Sequence, residues 1–88
     1  MWRVLYKKSF EKDLRKLPKN ILTTIILKID KLSLNPNSVT SKKLVGYSNY
    51  YRFRVGDYRV VYEKRESELV LVMISGKHRK DIYKKLKL

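Results

Sequence analysis

Residues 50–62 read Tyr-Tyr-Arg-Phe-Arg-Val-Gly-Asp-Tyr-Arg-Val-Val-Tyr, and the predicted fold is built around this stretch. Apolar and charged residues alternate on both sides of Gly56-Asp57, and glycine at the first position of a two-residue loop is typical of a type II′ turn between two strands. The turn predicts a β-hairpin with one apolar face. That face is formed by the pairs Val55–Tyr58, Phe53–Val60 and Tyr51–Tyr62.

The opposite face of this hairpin carries Arg52, Arg54 and Arg59, with Arg54 directly across from Arg59. Like charges placed opposite each other destabilise a sheet. The guanidinium group is well shaped to hold phosphate oxygens through two parallel hydrogen bonds. We therefore interpret this face as a site for a polyanion. The alternative is a solvated edge-strand face whose positive charges oppose aggregation.

The composition describes one small, folded, cationic domain that spans residues 1–88. Lys and Arg number 22 against 8 Asp and Glu, a formal net charge of +14 that points to nucleic acid or another acidic partner. A hydrophobic content of 43% is too high for a disordered basic tail. The absence of cysteine and the single histidine exclude disulfides and argue against the usual zinc sites, so no metal or cofactor is expected. With no apolar run of membrane-spanning length and no signal-peptide layout, we expect a cytoplasmic protein without membrane contact.

Two helices are predicted before the hairpin. The first has Ser9 as its N-cap and ends at Pro18, and the second begins near Lys19 and ends near Asn35-Pro36. The second has the strongest helical periodicity in the chain, carried by Ile21, Leu22, Ile25, Ile26, Ile29 and Leu32.

The remaining segments complete a small sheet. Residues 2–6 alternate as a first strand, and Lys42-Lys43-Leu44 begins the sheet before the hairpin. Residues 69–75 read as an interior strand that Gly76 breaks, followed by a loop and a short helix with Ile82 and Leu86 one turn apart. The predicted fold is α+β. A two-helix hairpin packs on one face of a small, mainly antiparallel, twisted sheet of about four strands, and the arginines lie on the open face.

The side chains available suit RNA cleavage. RNA needs neither a protein nucleophile nor a metal, because its own 2′-OH attacks the adjacent phosphorus once a base removes the proton and cations stabilise the charge. Arg59 and its neighbours would hold the phosphate, and Tyr83 or His78 would transfer protons. Tyrosine is a poor base unless nearby cations favour its phenolate. Tyr83 as a packing aromatic and His78 as a solvated loop side chain are the structural alternatives.

The sequence resembles the RelE/ParE superfamily of toxin–antitoxin toxins essentially from end to end. The resemblance comprises the opening strand, the helix of residues 10–18, the long Ile-rich helix that ends near Asn35-Pro36, and the stretches 42–46, 51–62 and 76–83. The hairpin and the closing Gly-Lys-His-Arg-Lys-Asp-Ile-Tyr motif are its more specific parts. In the RelE branch, the resemblance implies a domain that enters the ribosomal A site and cleaves mRNA by 2′-OH attack, leaving a cyclic phosphate.

The resemblance also assigns residues. Arg59 matches the phosphate-binding arginine of the Tyr-Arg-x-x-Tyr strand, and Tyr83 matches the near-C-terminal catalytic tyrosine. His78 or Arg79 takes the place of a further catalytic arginine. Arg52 stands where the bacterial branch has a lysine, and Tyr50 stands where it has another. The wider phosphate-binding set is expected to comprise Arg52, Arg54, Lys77, Lys80, Lys42 and Lys43.

The resemblance further implies a cognate RelB-like antitoxin that wraps the toxin and masks its positive surface, and a toxin–antitoxin heterotetramer is compatible with it. The ribosome and mRNA are the other expected partners. Two alternatives remain open. One is a ParE-like inhibitor of DNA gyrase that shares the fold but cuts no RNA. The other is a non-catalytic RNA-binding module whose arginines only position phosphates.

Overall fold

The computed structural model describes residues 1–80. The helices are α1 (Lys8–Leu14) and α2 (Lys19–Leu34). The strands are β1 (Arg3–Tyr6), β2 (Lys42–Lys43), β3 (Tyr50–Val55), β4 (Tyr58–Arg65) and β5 (Val70–His78), with a short 3₁₀ turn at Glu66–Glu68 between the last two. The predicted C-terminal helix lies outside the described residues. Neither α1 nor α2 is long and apolar enough to cross a membrane.

The strands form one sheet in the order β1-β5-β4-β3-β2. The last three strands of the chain make the predicted antiparallel meander, and β2 adds two residues at its edge. Strand β1 pairs with β5 in parallel, so the chain crosses over through the helices between them. The prediction of a helical hairpin on a mainly antiparallel sheet is confirmed, and the apolar strand β5 is interior because it lies between β1 and β4.

The β3–β4 hairpin has the predicted register, which pairs Val55 with Tyr58 and Phe53 with Val60. Gly56 has a φ of +58°, whereas Asp57 does not have a positive φ. A positive φ at the first central position alone is the type II′ arrangement, and glycine adopts it without the steric cost that a Cβ would bring.

The core lies between the helices and the apolar face of the sheet. The two helices supply Phe10, Ile25, Ile29 and Leu32, and the sheet supplies Phe53, Val55, Val60, Tyr62, Leu71 and Met73. Leu71 and Met73 alternate with residues that face away, so β5 contributes to the core with the same period as the hairpin. The three members from α2 belong to the helical periodicity seen in the sequence.

Two boundaries of α1 differ from the prediction. The helix begins at Lys8 without a side-chain cap, and Ser9 instead donates a hydrogen bond from Oγ to the carbonyl oxygen of Ile74, at 2.7 Å. Its last regular residue is Leu14, one turn before Pro18, because the amides of Lys16 and Leu17 bond to carbonyls three residues back and tighten the chain. The expectation of Ser9 as N-cap was therefore wrong, and the hydroxyl joins the helix to the sheet.

Strand β5 is also longer than predicted, since Gly76 continues it to His78. Gly76 lies beneath the ring of Phe10, and a Cβ there would come within 3.3 Å of Phe10 Cε1. Glycine at this point permits a helix to pack closely on the strand, which is a reason for glycine inside a strand.

Candidate nucleic-acid interface

The sheet face that points away from the helices is strongly basic. Cross-strand partners lie on the same face of a sheet, and the register pairs Lys42 with Arg52, Arg54 with Arg59, and Arg59 with Lys77. We call the surface formed by these five residues the basic face. Three of its members, Arg52, Arg54 and Arg59, were predicted to share a face from the alternation of the hairpin alone.

Arg54 and Arg59 are especially close neighbours. Val55 and Tyr58 flank the two-residue turn and make the hydrogen-bonded pair, so Arg54 and Arg59 form the next, non-hydrogen-bonded pair. Side chains approach most closely at such pairs. Each guanidinium carries several N–H donors, so two of them on neighbouring positions of one face are suited to an anion with several oxygens.

A pocket of about 330 Å³ opens beside these arginines. It lies where β2 stops after two residues and leaves the edge of β3 uncovered from Phe53 onwards. Within the described residues 1–80, the lining includes five cations and no acid; it is formed by Lys28, Thr40, Lys42, Arg52, Phe53, Arg54 and Arg59. Such a lining concentrates positive potential in a concave site, which favours phosphate.

Lys28 and Thr40 were not anticipated from the sequence. Lys28 lies on α2, and its Nζ is 3.5 Å from the carbonyl oxygen of Arg54, on the uncovered edge of β3. Its position between the buried Ile25 and Ile29 places it near the sheet, but lysines at such positions are usually solvated. Only the packing of α2 over the strand edge brings this ammonium to the pocket.

Lys77 belongs to the basic face by register but is engaged elsewhere. Its ammonium forms an ion pair with Asp13 of α1, a carboxylate that is only 4% exposed. The other oxygen of Asp13 accepts a hydrogen bond from the amide of Gly76 at 3.0 Å. Asp13 therefore neutralises Lys77 and fixes the end of β5 to the helix.

His78 and Arg59 do not share a face. His78 pairs with Tyr58, and the two rings meet edge to face with centroids 5.3 Å apart, on the side of the sheet that the helices cover. Its Nδ1 accepts a hydrogen bond from the amide of Lys80 at 3.2 Å, so the second nitrogen, Nε2, carries the proton of the neutral ring. His78 lines a separate pocket together with Lys16 and Leu17.

The other predicted residues lie around the hairpin. The amide of Arg79 bonds to the carbonyl oxygen of Asp57 at 2.7 Å, which joins the closing segment to the turn, and the side chains of Arg79 and Lys80 are exposed. Lys43 pairs with Tyr51 and so belongs to the helix-packed side of the sheet rather than to the basic face. Tyr83 lies outside the described residues.

Comparison with known proteins agrees with this architecture. The family model described as the ParE toxin of type II toxin–antitoxin system, parDE, matches residues 4–83. The chain belongs to this family of toxins, within the RelE/ParE superfamily.

Individual relatives are of the RelE type. Toxin RelE3 of Methanocaldococcus jannaschii is 40% identical over 85 residues, which cover 92% of this chain and 94% of that protein. A chain in the crystal structure of the RelB–RelE antitoxin–toxin complex from Methanococcus jannaschii has 36% identity and a TM-score of 0.79, covering 93% of this chain and 98% of that one. The isolated Escherichia coli RelE toxin, at 19% identity and a TM-score of 0.77 over 98% of this chain and 99% of that one, shares the fold.

Proposed function

We propose that this toxin is a ribosome-dependent endoribonuclease that cleaves mRNA in the ribosomal A site without a metal ion and so inhibits translation. The proposal rests on the opposition of Arg54 and Arg59 beside a pocket whose described lining, drawn from residues 1–80, has five cations and no carboxylate. The 40% identity to a protein named Toxin RelE3 supports the RelE branch. A site of this kind is suited to hold a phosphodiester and to stabilise the negative charge that develops as it is attacked.

The chemistry proposed is an internal transfer. The 2′-OH loses its proton to a base, its oxygen forms a bond to the adjacent phosphorus, and the bond from phosphorus to the 5′ oxygen of the next nucleotide breaks. The leaving 5′ oxygen takes up a proton. The products are a 2′,3′-cyclic phosphate and a 5′-OH, and no water or cofactor enters the step.

The roles divide between the hairpin and the closing segment. Arg59, with Arg52 and Arg54, would hold the phosphate and stabilise the phosphorane. Tyr83 is our choice for proton transfer, because His78 contacts Tyr58 on the other side of the sheet from Arg59. Arg79 is held at the hairpin turn by its amide and would add positive charge at that end of the site.

We further propose a cognate RelB-like antitoxin and a cytoplasmic location. Structural relatives from Methanococcus jannaschii and Pyrococcus horikoshii, at 36% and 30% identity, come from complexes of RelE with RelB. A net charge of +14 favours a partner with an acidic segment that covers the positive surface, and a heterotetramer is one assembly in which two such pairs combine.

Inhibition of DNA gyrase is the second candidate function. It is favoured by the family model itself, which is described by the ParE toxin. The two functions are separated by their targets, because a gyrase inhibitor would need no phosphate pocket that reacts with RNA.

The test is primer extension on an mRNA translated in a purified system, with and without ribosomes. We expect new 5′ ends inside codons only when ribosomes are present, and their loss with Arg59→Ala. Arg15→Ala is the matched control, because it removes the same charge from an exposed position at the end of α1. Wild-type protein that produces no new ends would overturn the nuclease, and inhibition of supercoiling would then establish the second candidate.

A further inference from the structure

The basic face continues along β3 into a pair of aromatic side chains. Tyr50, Arg52 and Arg54 alternate along the same strand, so Tyr50 lies on the face of the arginines. The ring of Tyr47, from the loop between β2 and β3, lies beside it with the centroids 6.2 Å apart and the planes tilted by 40°. Four residues of strand separate Tyr50 from Arg54, roughly 14 Å at about 3.4 Å per residue.

We infer that Tyr47 and Tyr50 form a stacking subsite for an unpaired base of single-stranded RNA, on the strand whose phosphate the arginines hold. The identity of the strand rests on the proposed function. Aromatic rings that flank a track of cations are the common means of binding single-stranded nucleic acid, since each base offers a flat face for stacking. The subsite would accept any of the four bases, because two tyrosine rings contribute stacking rather than a pattern of hydrogen bonds.

Backbone hydrogen bonds fix the loop that leads from Tyr47 to Tyr50. The amide of Leu44 donates to the carbonyl oxygen of Tyr50 at 2.8 Å and closes the loop, within which Gly46 adopts a φ of +83°. At the other end, Asn49 has a φ of +65°, and its carbonyl oxygen accepts a hydrogen bond from the amide of Lys64 at 2.8 Å. A loop whose backbone is held at both ends has less freedom to lose when a ligand binds, which lowers the entropic cost of binding.

The electrostatic surroundings are compatible with RNA. The residue directly across from Tyr50 is Glu63, a carboxylate that would repel a nearby phosphate. Arg65 neutralises it, with Nε 3.0 Å from the Glu63 carboxylate. The negative charge nearest to the rings in the register is therefore already paired.

The inference is tested with a fluorescent single-stranded RNA that is 2′-O-methylated throughout, so that no 2′-OH is available for attack. One nucleotide at a time is replaced by an abasic residue, and affinity is measured by anisotropy. For wild-type protein we expect about tenfold weaker binding when the stacked base is removed, and little change elsewhere. We call the affinity as a function of the abasic position the abasic profile. Tyr50→Leu and Tyr47→Leu should weaken binding of the intact RNA by a similar factor and make this profile flat.

Matched variants separate stacking from folding. Tyr50→Phe and Tyr47→Phe retain the rings and should keep the wild-type profile, and Val45→Ala, at a loop residue that is 96% exposed, should have no effect. Thermal unfolding of each variant checks that the loop change leaves the domain folded.

A flat profile for the wild type, no measurable binding, or a profile that persists in both leucine variants would overturn the inference. Its failure is distinct from that of the nuclease. Ribosome-dependent cleavage with a flat profile removes only the stacking subsite, whereas a sharp profile without cleavage removes only the catalytic proposal.

Discussion

Arg54 and Arg59 lie directly opposite each other in a non-hydrogen-bonded pair at the end of the β3–β4 hairpin, with their side chains on the same face of the sheet. A pair of like charges at such a position destabilises the sheet relative to neutral residues. Stability lost at a binding site is a common consequence of selection for function. The pair therefore argues that this face is shaped by what it binds.

Relief of this repulsion should stabilise the fold while it impairs the site. We expect Arg54→Gln to raise the free energy of unfolding by about 0.5 kcal/mol at low ionic strength, and the gain should shrink as salt screens the charges. Urea denaturation at two salt concentrations measures it. Arg15→Gln removes the same charge away from the basic face and should not stabilise; an equal gain from both variants would mean that only net charge matters.

The ion pair between Asp13 and Lys77 should be strongly coupled. Asp13→Ala leaves the Lys77 ammonium and the Gly76 amide without this carboxylate, and we expect it to cost about 2–4 kcal/mol in urea denaturation. In the double variant Asp13→Ala/Lys77→Met, we expect the loss in free energy of unfolding to be about 1–3 kcal/mol smaller than the sum of the losses in the two single variants. Glu11→Ala, at an exposed position in the same helix, should change stability little. Simple additivity of the two single changes would contradict a working ion pair.

Leu69 should be replaceable with a gain in stability. It adopts the left-handed conformation, with φ +54° and ψ +48°, and its side chain is 51% exposed. Asparagine tolerates this conformation better than leucine, so we expect Leu69→Asn to add about 0.5–1 kcal/mol to the free energy of unfolding. Val45→Asn makes a similar change at an exposed loop residue without a positive φ and should give no such gain. A loss of stability with Leu69→Asn would show that its apolar contacts outweigh the backbone strain.

Tyr62 should make the fold sensitive to alkali. Burial raises the pKa of its phenol, the neighbouring Ser41 hydroxyl lowers it in part because it can donate to the phenolate, and Tyr51 raises it. The folded pKa therefore lies above the unfolded value of about 10. The protonated phenol of Tyr62 is therefore favoured in the folded state. Its contribution to the free energy of unfolding is fully present below pH ~10 and is lost as the pH rises through the folded pKa. We expect the free energy of unfolding to fall more steeply above pH ~10 in the wild type than in Tyr62→Phe, and equal slopes in urea denaturation would refute this.

The hairpin could be predicted from the sequence because its determinants are local. The alternation of residues 50–62 and the Gly56-Asp57 turn fix which side chains share a face, so the opposition of Arg54 and Arg59 followed without knowledge of the rest of the chain. The stripes of α2 and the apolar run of β5 were equally readable, since burial imposes a period on each.

The errors and omissions concern contacts between distant parts of the chain. Ser9 is a residue type that is favoured at N-caps, but its hydroxyl donates a hydrogen bond to the carbonyl oxygen of Ile74, 65 residues away. Gly76 looks like a strand breaker until Phe10 is seen to pack against it. The ion pair between Lys77 and Asp13 joins residues that are 64 positions apart, and no local sequence pattern predicts it.

These long-range contacts predict which cations contribute to binding. A residue that neutralises an RNA phosphate releases counterions, so its loss should lower the slope of log affinity against log salt by about one. We expect this reduction for Arg52→Gln and Arg59→Gln on the 2′-O-methylated RNA. Lys77→Gln should leave the slope unchanged, because Asp13 already neutralises that ammonium.

Among these variants, Lys28→Gln is the most informative test of the pocket. By sequence Lys28 is one of three lysines on α2, but in the fold its ammonium lies beside the carbonyl oxygen of Arg54 at the pocket. Lys28→Gln should therefore reduce the salt slope as the arginines do, whereas Lys19→Gln, at the exposed start of the same helix, should not. Equal slopes for all these variants would mean that RNA senses only the overall charge of +14, and the pocket would then have no special role in binding.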